Sequence, residues 1–270
     1  MKRILAGIAA LAAVAIAPGV ANAQDGVAVT LLHGIPGATV DVAVDGDVVV
    51  PGFEPGDTAD LTAFAGQTLV NLEVRAAGTE DVVIGPVAEF AVPDAGNWTV
   101  IAHLDADGNP TVTPFENNEA DAGDGNGRLT VRHTAAAPAV DVVLGDARPI
   151  EGAANGDSAE LDVPAGEIAG AQIAPAGGDP IADVPTVNVS AGVNLIVYAV
   201  GSLDDGSFTF LTQTVELESA GDGDATPAPT AVDTGEPVGD SVNAALLAAA
   251  AGMMVLAGGA FVLRRRTVES

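Results

Sequence analysis

Cysteine is absent from this 270-residue sequence, and aromatic residues make up only 3% of it. Without cysteine the chain cannot form a disulfide framework, a cysteine-ligated zinc site, an iron–sulfur cluster or a thiol nucleophile. Basic residues are also few, 9 against 37 acidic residues, so the formal net charge is −28. Because a surface of this sign repels phosphate backbones, the composition argues against nucleic acid as a partner.

The N-terminus has the features of a secretory signal peptide over residues 1–23. Two basic residues precede an apolar stretch, Ile4–Ile16. Ala21 and Ala23 then supply the small residues that a signal peptidase requires at positions −3 and −1. The sequence therefore predicts cleavage after Ala23, with Gln24 as the new N-terminus.

The C-terminal end has the features of a membrane anchor. Val242–Leu263 is an uncharged run of 22 residues followed at once by three arginines. A helix of that length spans roughly 33 Å, enough for the hydrocarbon core of a bilayer. Since positive charge stays on the cytoplasmic side, we expect the N-terminus outside and residues 264–270 as a cytoplasmic tail.

Residues 219–241, rich in Pro, Gly and Asp, separate this anchor from the rest of the chain and are expected to form an extended stalk. The end of the chain also resembles a cell-wall sorting signal, in which a Leu-Pro-x-Thr-Gly motif precedes an apolar span and a basic tail. Thr234 and Gly235 match that motif and would flank the cut bond, whereas Ala231 and Val232 stand where Leu-Pro is usual. Attachment to the wall and a permanent single-span anchor therefore both remain open.

Between the two ends the apolar residues alternate with a period of two. Val40, Val42 and Val44 alternate with Asp41 and Ala43, as in a half-buried strand. Asp-Gly at positions 45–46 tolerates the positive φ of a tight hairpin turn. Seven or eight such strands in about 90 residues, with no clean helical stripe, predict an immunoglobulin-like β-sandwich.

The strand pattern occurs twice at a spacing of 100 residues. His33 corresponds to His133, Val40-Asp41-Val42 to Val140-Asp141-Val142, and Gly56–Leu61 to Gly156–Leu161. Several matches at one offset indicate a tandem duplication. We therefore expect two tandem β-sandwich domains, 24–117 and 128–218, joined by a linker at 118–127, in an all-β protein with one C-terminal transmembrane helix.

The start of each copy resembles a known family. HGIPGATVDVAVDG (His33–Gly46) is similar to the opening of the bacterial and archaeal extracytoplasmic domain of unknown function 4397, which has His-Ala-Ser-Pro, a turn, Val-Asp-Val and Gly. HTAAAPAVDVVLGD (His133–Asp146) shares the His, Pro-Ala-Val-Asp-Val and Gly but lacks the early Pro. The resemblance covers about residues 27–217. It implies a pair of extracytoplasmic modules, and it brings no established activity or catalytic residue.

His33 and His133 are the candidate site residues of the two copies. Counting the alternation places each imidazole on the core-facing side at the end of a strand. One interpretation is a metal ligand or a base, and the other is a side chain that fixes the next loop through backbone hydrogen bonds. No second histidine lies nearby in either copy, so the sequence favours the structural interpretation.

No catalytic motif occurs, and the expected class is non-enzymatic, without a cofactor. Asp105, Asp107, Asn109 and Glu116 have the spacing of a calcium-binding loop, but Pro110 replaces its required Gly, so a hairpin turn is expected there. Weak, diffuse divalent-cation binding is expected only on the acidic surface. The leading hypothesis is a cell-envelope surface protein whose modules serve binding, adhesion or wall structure, with a cell-wall or surface ligand as partner. The alternative is an extracytoplasmic hydrolase acting on envelope polymer.

Overall fold

The computed structural model describes residues 26–218, which form an all-β structure. Apart from a single 3-10 turn at Thr62–Phe64, these residues contain strands, turns and loops only. Within this part of the chain no helix has both the length and the apolar composition needed to cross a bilayer. The predicted signal peptide, stalk and Val242–Leu263 span lie outside the described residues.

The first half of the structure contains eight strands. They are β1 (Val27–His33), β2 (Val40–Val44), β3 (Asp47–Phe53), β4 (Thr58–Asp60), β5 (Thr68–Ala76), β6 (Val82–Ala91), β7 (Gly96–Leu104) and β8 (Pro110–Asn117). They form two four-stranded sheets, in the orders β4-β1-β7-β8 and β3-β2-β5-β6. Apolar side chains from both sheets, such as Val29, Val42 and Val100, make one core between them, so the arrangement is sandwich-like.

The second half contains ten strands. They are β9 (Asn126–His133), β10 (Val140–Leu144), β11 (Ala147–Ala153), β12 (Ser158–Pro164), β13 (Gly166–Ile168), β14 (Ala171–Pro175), β15 (Ala182–Asp183), β16 (Val187–Val189), β17 (Val193–Val200) and β18 (Thr209–Glu216). Two sheets, β12-β9-β17-β18 and β11-β10-β14-β15, repeat the strand order of the first half, and β13 and β16 pair separately.

The sandwich-like all-β fold is confirmed, but its strand order differs from that of the immunoglobulin domains to which the prediction likened it. In the immunoglobulin order the first strand lies at a sheet edge. Here β1 lies inside its sheet between β4 and β7, and all seven of its residues pair in parallel with β7. Alternation and turn residues locate strands, but they do not specify which strands pair.

Several local predictions can be compared directly with the strands. Val40–Val44 is β2, as predicted, and the Asp-Gly turn after it has φ values of 50° and 88°. The apolar runs on either side of Gly85 and Pro86 belong to one strand, β6. β6 runs through Gly85, where a Cβ would stand 2.6 Å from the Leu72 carbonyl oxygen. Glycine thus permits a close approach that a larger residue would block.

The two halves pack against each other through an interhalf interface, formed by the outer faces of β1, β7 and β8 and of β9, β17 and β18. Its apolar part contains three residues from the first half and four from the second. These are Leu32, Ile101, Phe115, Ile196, Tyr198, Val200 and Val215. As a result both faces of β7 are buried, one in the first core and the other in the interface.

Candidate functional site

His33 lies at the end of β1, and its imidazole is fully buried beside the first core. Its Nε2 donates to the carbonyl oxygen of Ala38 at 2.7 Å, and its Nδ1 accepts the amide of Ile35 at 3.3 Å. The ring also stacks on Phe53, with 5.5 Å between centroids. Because Nδ1 accepts a hydrogen bond, the proton is on Nε2 and the imidazole is neutral.

His133 makes the equivalent hydrogen bonds in the second half. Its Nε2 donates to the Pro138 carbonyl at 3.1 Å, and its Nδ1 accepts the Ala135 amide at 3.3 Å. Burial lowers the pKa of both imidazoles and outweighs the backbone hydrogen bond and the nearby aspartate, which raise it. Both histidines therefore tie a strand end to the following loop, which is the geometry of the structural interpretation.

Asp41 and Asp141 connect loops through buried carboxylates. Asp41 accepts the amide of Gly52 at 2.7 Å on Oδ1 and that of Gly78 at 2.8 Å on Oδ2. Asp141 accepts the equivalent amides of Gly152 at 2.7 Å and Gly177 at 2.8 Å. Each carboxylate thus joins a strand of its sheet to a distant turn. Charge-assisted bonds of this kind are among the stronger hydrogen bonds in proteins.

The two carboxylates differ in one partner. Arg148 donates to Oδ2 of Asp141 at 2.6 Å and to the Gly178 carbonyl at the same distance. Hydrogen bonds from Gly52 and Gly78 lower the pKa of Asp41. For Asp141, burial by itself raises the pKa, but the two glycine amides and the Arg148 guanidinium together hold it below its usual range. Both groups are therefore carboxylates at neutral pH.

The roles of these aspartates were missed by the sequence analysis, which treated Asp41 as an outward-facing member of an alternating strand. In the structure Asp41 and Asp141 are only 8% and 3% exposed. The recurrence of Val-Asp-Val in both copies was the available signal. A period of two assigns a residue to one face of a strand, but it cannot show that loops cover that face.

Arg132 lies fully buried in the interhalf interface. Its Nη1 donates to the Tyr198 hydroxyl at 2.7 Å, and its Nη2 donates across the interface to the Glu116 carbonyl at 2.9 Å. Its Cζ lies 4.7 Å from the centroid of the Phe115 ring, so a cation–π contact also crosses the interface. Burial lowers the pKa of Arg132, while Tyr198 and Glu160 act in the opposite direction. Such a group is sequestered and unavailable to a substrate.

A chain of hydrogen bonds extends the contacts of Arg132. The Tyr198 hydroxyl donates to Oε1 of Gln213 at 2.8 Å, and the Thr99 hydroxyl of the first half donates to the same oxygen at 2.9 Å. Asn117 donates to Thr99 at 3.0 Å and to Asn97 at 2.7 Å. No buried polar side-chain atom within residues 26–218 lacks a partner. The interface is therefore a satisfied polar network beside an apolar cluster.

The segment that connects the halves, residues 118–125, is hydrogen-bonded to the second half. Arg128 makes a two-point contact with Asp162, at 2.7 and 3.1 Å, and donates to the Ala120 carbonyl at 3.0 Å. Asn194 donates to the Asn118 carbonyl at 3.1 Å. β9 begins at Asn126, inside the linker predicted at 118–127. These contacts limit independent movement of the two halves.

His103 is buried where β7 approaches the second half. Its Nδ1 donates to the Leu104 carbonyl at 2.8 Å, and its Nε2 accepts the Thr113 hydroxyl at 2.8 Å. Burial is the main reason that its pKa is lowered. Nearby, Asn155 of the second half donates to the same Leu104 carbonyl at 2.9 Å and to Ala135 at 2.8 Å. His103 is thus a further internally bonded imidazole.

A small void lies in each core. The first measures about 30 Å³ and is lined only by apolar residues, among them Leu31, Phe53 and Leu72. The second measures about 40 Å³ and includes Val131, Ile173 and Phe210 in its equally apolar lining. Binding sites for small molecules combine a much larger cavity with a few convergent polar groups. These voids hold no nucleophile, acid or base.

The calcium-loop spacing corresponds to a hairpin turn between β7 and β8. Asp105 Oδ1 accepts the amides of Asp107 at 2.9 Å and Asn109 at 2.8 Å. The Asn109 amide is the main cause of the lowered pKa of Asp105. Within residues 26–218 no group of three or more histidine or acidic side chains could hold a metal ion. The cleavage residues Ala23 and Gln24, and the sorting residues Thr234 and Gly235, lie outside the described residues.

The strands and side-chain contacts define an all-β, sandwich-like protein whose buried histidines, aspartates and Arg132 bond its own loops and its interhalf interface. Residues 27–143 match the family model of a domain of unknown function (DUF4397). The match begins with β1, covers the whole first half and ends within β10. No curated protein matches the chain. The similarity identified from the His33–Gly46 motif is therefore shown for this stretch, and the equivalent assignment of the second half stays a prediction.

Proposed function

We propose that this protein is a cell-envelope surface protein in which residues 26–218 form a non-catalytic head with two modules of the DUF4397 type. In this proposal the signal peptide is removed between Ala23 and Gln24, and residues 219–241 form a stalk. Val242–Leu263 holds the protein in the membrane, with the head outside. The head serves binding, adhesion or wall-associated structure.

The observation that carries the proposal is that the chain enters and leaves the head at one pole. The Gly96 amide donates to the Gly26 carbonyl at 2.9 Å, and the Glu218 amide donates to the Glu119 carbonyl at 2.6 Å. Asn97 links these two places by donating to Glu119 Oε1 at 2.9 Å. A C-terminal tether attached at this pole orients the whole head away from the membrane.

The opposite pole is formed by loops from both halves. It includes the hairpin turn at 105–109 and the β17–β18 loop, which begins at Gly201. Asp107, Asp204 and Asp205 are exposed there. Loops supported by a rigid sheet framework are the usual location of binding residues in β-sandwich proteins. This arrangement supports display of the distal loops to the surroundings of the cell.

The surface charge also supports an extracytoplasmic location. Residues 24–240 contain 36 acidic residues, no lysine and four arginines. All four arginines make internal contacts, and the side chains of Arg75, Arg128 and Arg148 are 11%, 6% and 30% exposed. The acidic surface is therefore hardly compensated by accessible cations. It suits hydration in salt and attracts cationic ligands.

A non-catalytic role is supported by the position of the titratable groups. His33, His103 and His133 are all buried and bonded to backbone or hydroxyl groups. Catalytic acids and bases must come within hydrogen-bond distance of a bound substrate. The residues that line the two voids are apolar, so neither void offers such a group to a bound substrate.

The absence of cysteine allows a direct test of the topology by single-cysteine labelling. Asp107→Cys at the distal pole, Asp124→Cys in the connection between the halves and Ser270→Cys at the C-terminus would each carry the only thiol in the chain. A membrane-impermeant maleimide on intact cells should label the first two variants and leave Ser270→Cys unlabelled. Permeabilised cells provide the control, in which all three must react.

Size-graded maleimides test the orientation of the head as well. Asp107 and Asp124 are both exposed, so the isolated protein should react equally at the two positions. On intact cells, bulky maleimides should react faster at position 107 than at 124. Labelling of Ser270→Cys from outside, or protection of position 107 until permeabilisation, would overturn the proposed topology.

A further inference from the structure

The two halves contact each other through equivalent faces. Leu32 pairs with Ile101 between β1 and β7, and Arg132 pairs with Tyr198 between β9 and β17. The pairing registers of β7 with β8 and of β17 with β18 extend this equivalence across the face. An interface between like faces resembles that of a symmetric dimer, in which both subunits present the same patch.

Asn97/Asn194 and Thr111/Thr209 are polar in both halves, but at six other pairs of equivalent positions the side chains have opposite polarity. The pairs, first half before second, are Leu32/Arg132, Thr99/Ile196, Ile101/Tyr198, His103/Val200, Thr113/Leu211, Phe115/Gln213 and Asn117/Val215. Except at Ile101/Tyr198, one half has a polar residue where the other has an apolar one. The two faces therefore share a backbone arrangement but differ in chemistry.

The observed contacts match polar groups with polar groups across the interface. Thr99 donates to Gln213, and Arg132 donates to the Glu116 carbonyl while its guanidinium lies over the Phe115 ring. The apolar residues of both faces form one cluster. The opposite half thus accommodates the polar groups of Thr99 and Arg132, whereas His103 and Asn117 bond within the first half.

Self-pairing of either half would break these matches. In a symmetric pair of first halves, the place of Gln213 opposite Thr99 would hold Phe115. The buried Thr99 hydroxyl would lose its 2.9 Å acceptor and keep only Oδ1 of Asn117, at 3.4 Å. In a symmetric pair of second halves, Gln213 would face Ile196 instead of Thr99. Buried polar groups without partners are costly, so each arrangement is disfavoured against the observed one.

We propose that the interhalf interface is a heterospecific recognition surface: the first half binds a second-half module and rejects a copy of itself. The specificity comes from the exchanged polar and apolar positions, chiefly Thr99 with Gln213 and Arg132 with Phe115. The covalent connection raises the local concentration of the halves but does not determine which faces pair.

The test uses the whole chain, nicked after folding. A protease site inserted after Gly123 lies in the exposed part of the connection between the halves. After cleavage the halves should remain together at one to one in size-exclusion chromatography. When nicked protein is unfolded and refolded, light scattering and gel densitometry should again give pairs of one first half with one second half.

Paired substitutions test the chemistry of recognition. Thr99→Ile leaves Gln213 facing an apolar side chain, and exchange of a labelled half should become faster on the order of tenfold. Adding Gln213→Phe places a phenylalanine opposite the isoleucine introduced at position 99. The native interface already contains this pair of residue types, as Ile196 and Phe115 of its apolar cluster. The double variant should recover only part of the loss, because Gln213→Phe also removes the acceptor of the Tyr198 hydroxyl. Thr214→Ile, an exposed neighbour on β18, is the matched control and should leave the exchange rate unchanged.

Two results would overturn the proposal. One is separation of the halves on nicking, or a mixture of self-paired halves after refolding. The other is strict additivity of Thr99→Ile and Gln213→Phe, because recognition by matched polarity requires the two sites to be coupled.

Discussion

The two halves of this protein are alike inside and different where they meet. His33 and His133 bond their loops with the same atoms, and Asp41 and Asp141 each accept two glycine amides. At the interhalf interface, Leu32 corresponds to Arg132 and Phe115 to Gln213. The histidines and aspartates bond backbone groups that each half repeats. The interface residues, in contrast, contact side chains of the opposite half.

The comparison also separates two kinds of buried polar group. The histidines and aspartates bond backbone amides and carbonyls within their own half, so an isolated half retains their partners. Arg132 and Thr99 have partners in the opposite half. Among these buried polar groups, the ones that differ between the copies are those with partners in the opposite half.

The largest predicted effect concerns the shared aspartates. Asp41→Ala and Asp141→Ala each leave two glycine amides without their acceptor, and each should lower the free energy of unfolding by about 3 kcal/mol at pH 7. Asp141→Ala should cost more, because Arg148 also loses its partner. Urea denaturation of the purified protein measures both values. Asp47→Ala, at an exposed position, is the control and should change the free energy by less than about 0.5 kcal/mol.

The pH dependence of these aspartate variants has a defined sign. Because the folded state lowers the pKa of both carboxyls from 3.8, their contribution is complete above that pH and is lost as the pH falls through the folded value. The difference between wild type and either variant should therefore shrink in acid. Equal losses for the Ala variants and Asp47→Ala at pH 7 would contradict the anchoring role.

A smaller effect is expected for the histidines. His33→Leu and His133→Leu each remove two loop hydrogen bonds and should lower the free energy of unfolding by about 2 kcal/mol at pH 8. The folded state lowers the pKa of both imidazoles from 6.5. The unfolded chain therefore takes up protons below that pH, and wild-type stability falls as the medium is acidified. In denaturation experiments between pH 8 and pH 5, the free energy of unfolding should fall less with acidification in each variant than in the wild type.

The same histidine variants distinguish the two functional hypotheses. If the imidazoles only hold loops, His33→Leu and His133→Leu proteins that remain folded should retain every binding property of the head. Loss of an envelope-polymer hydrolysis activity with the free energy of unfolding unchanged would contradict the structural role and favour the hydrolase.

The smallest predicted effect distinguishes Asn155 from its counterpart Pro55. Asn155 donates to the carbonyls of Leu104 and Ala135, whereas proline at the equivalent place of the first half has no side-chain donor. Asn155→Ala should lower the free energy of unfolding by about 1 kcal/mol. Asn188→Ala is the same substitution at an exposed position and serves as the control in the same denaturation series. Identical curves for the two variants would show that the Asn155 bonds contribute nothing.

Local features of the fold were predictable from the sequence because they depend on neighbouring residues. The strand at Val40–Val44 and the Asp-Gly turn after it appear in the structure as expected, although both faces of the strand are buried. The partners of the buried polar groups were not predictable in this way. Thr99 and Gln213 are 114 residues apart along the chain, and no local pattern links them.

The sequence by itself determined the all-β character, the strongly acidic surface and the similarity of residues 27–143 to a DUF4397 domain. Period-two patterning and turn residues act over a few positions, and charge is a matter of composition. Only the tertiary structure decided that β1 lies beside β7 and that both faces of β7 are buried. Thr99 and Ile101 face the second half, while Val100 faces the first core. Alternation distinguishes the two faces of a strand, but what covers each face depends on residues far away in the chain.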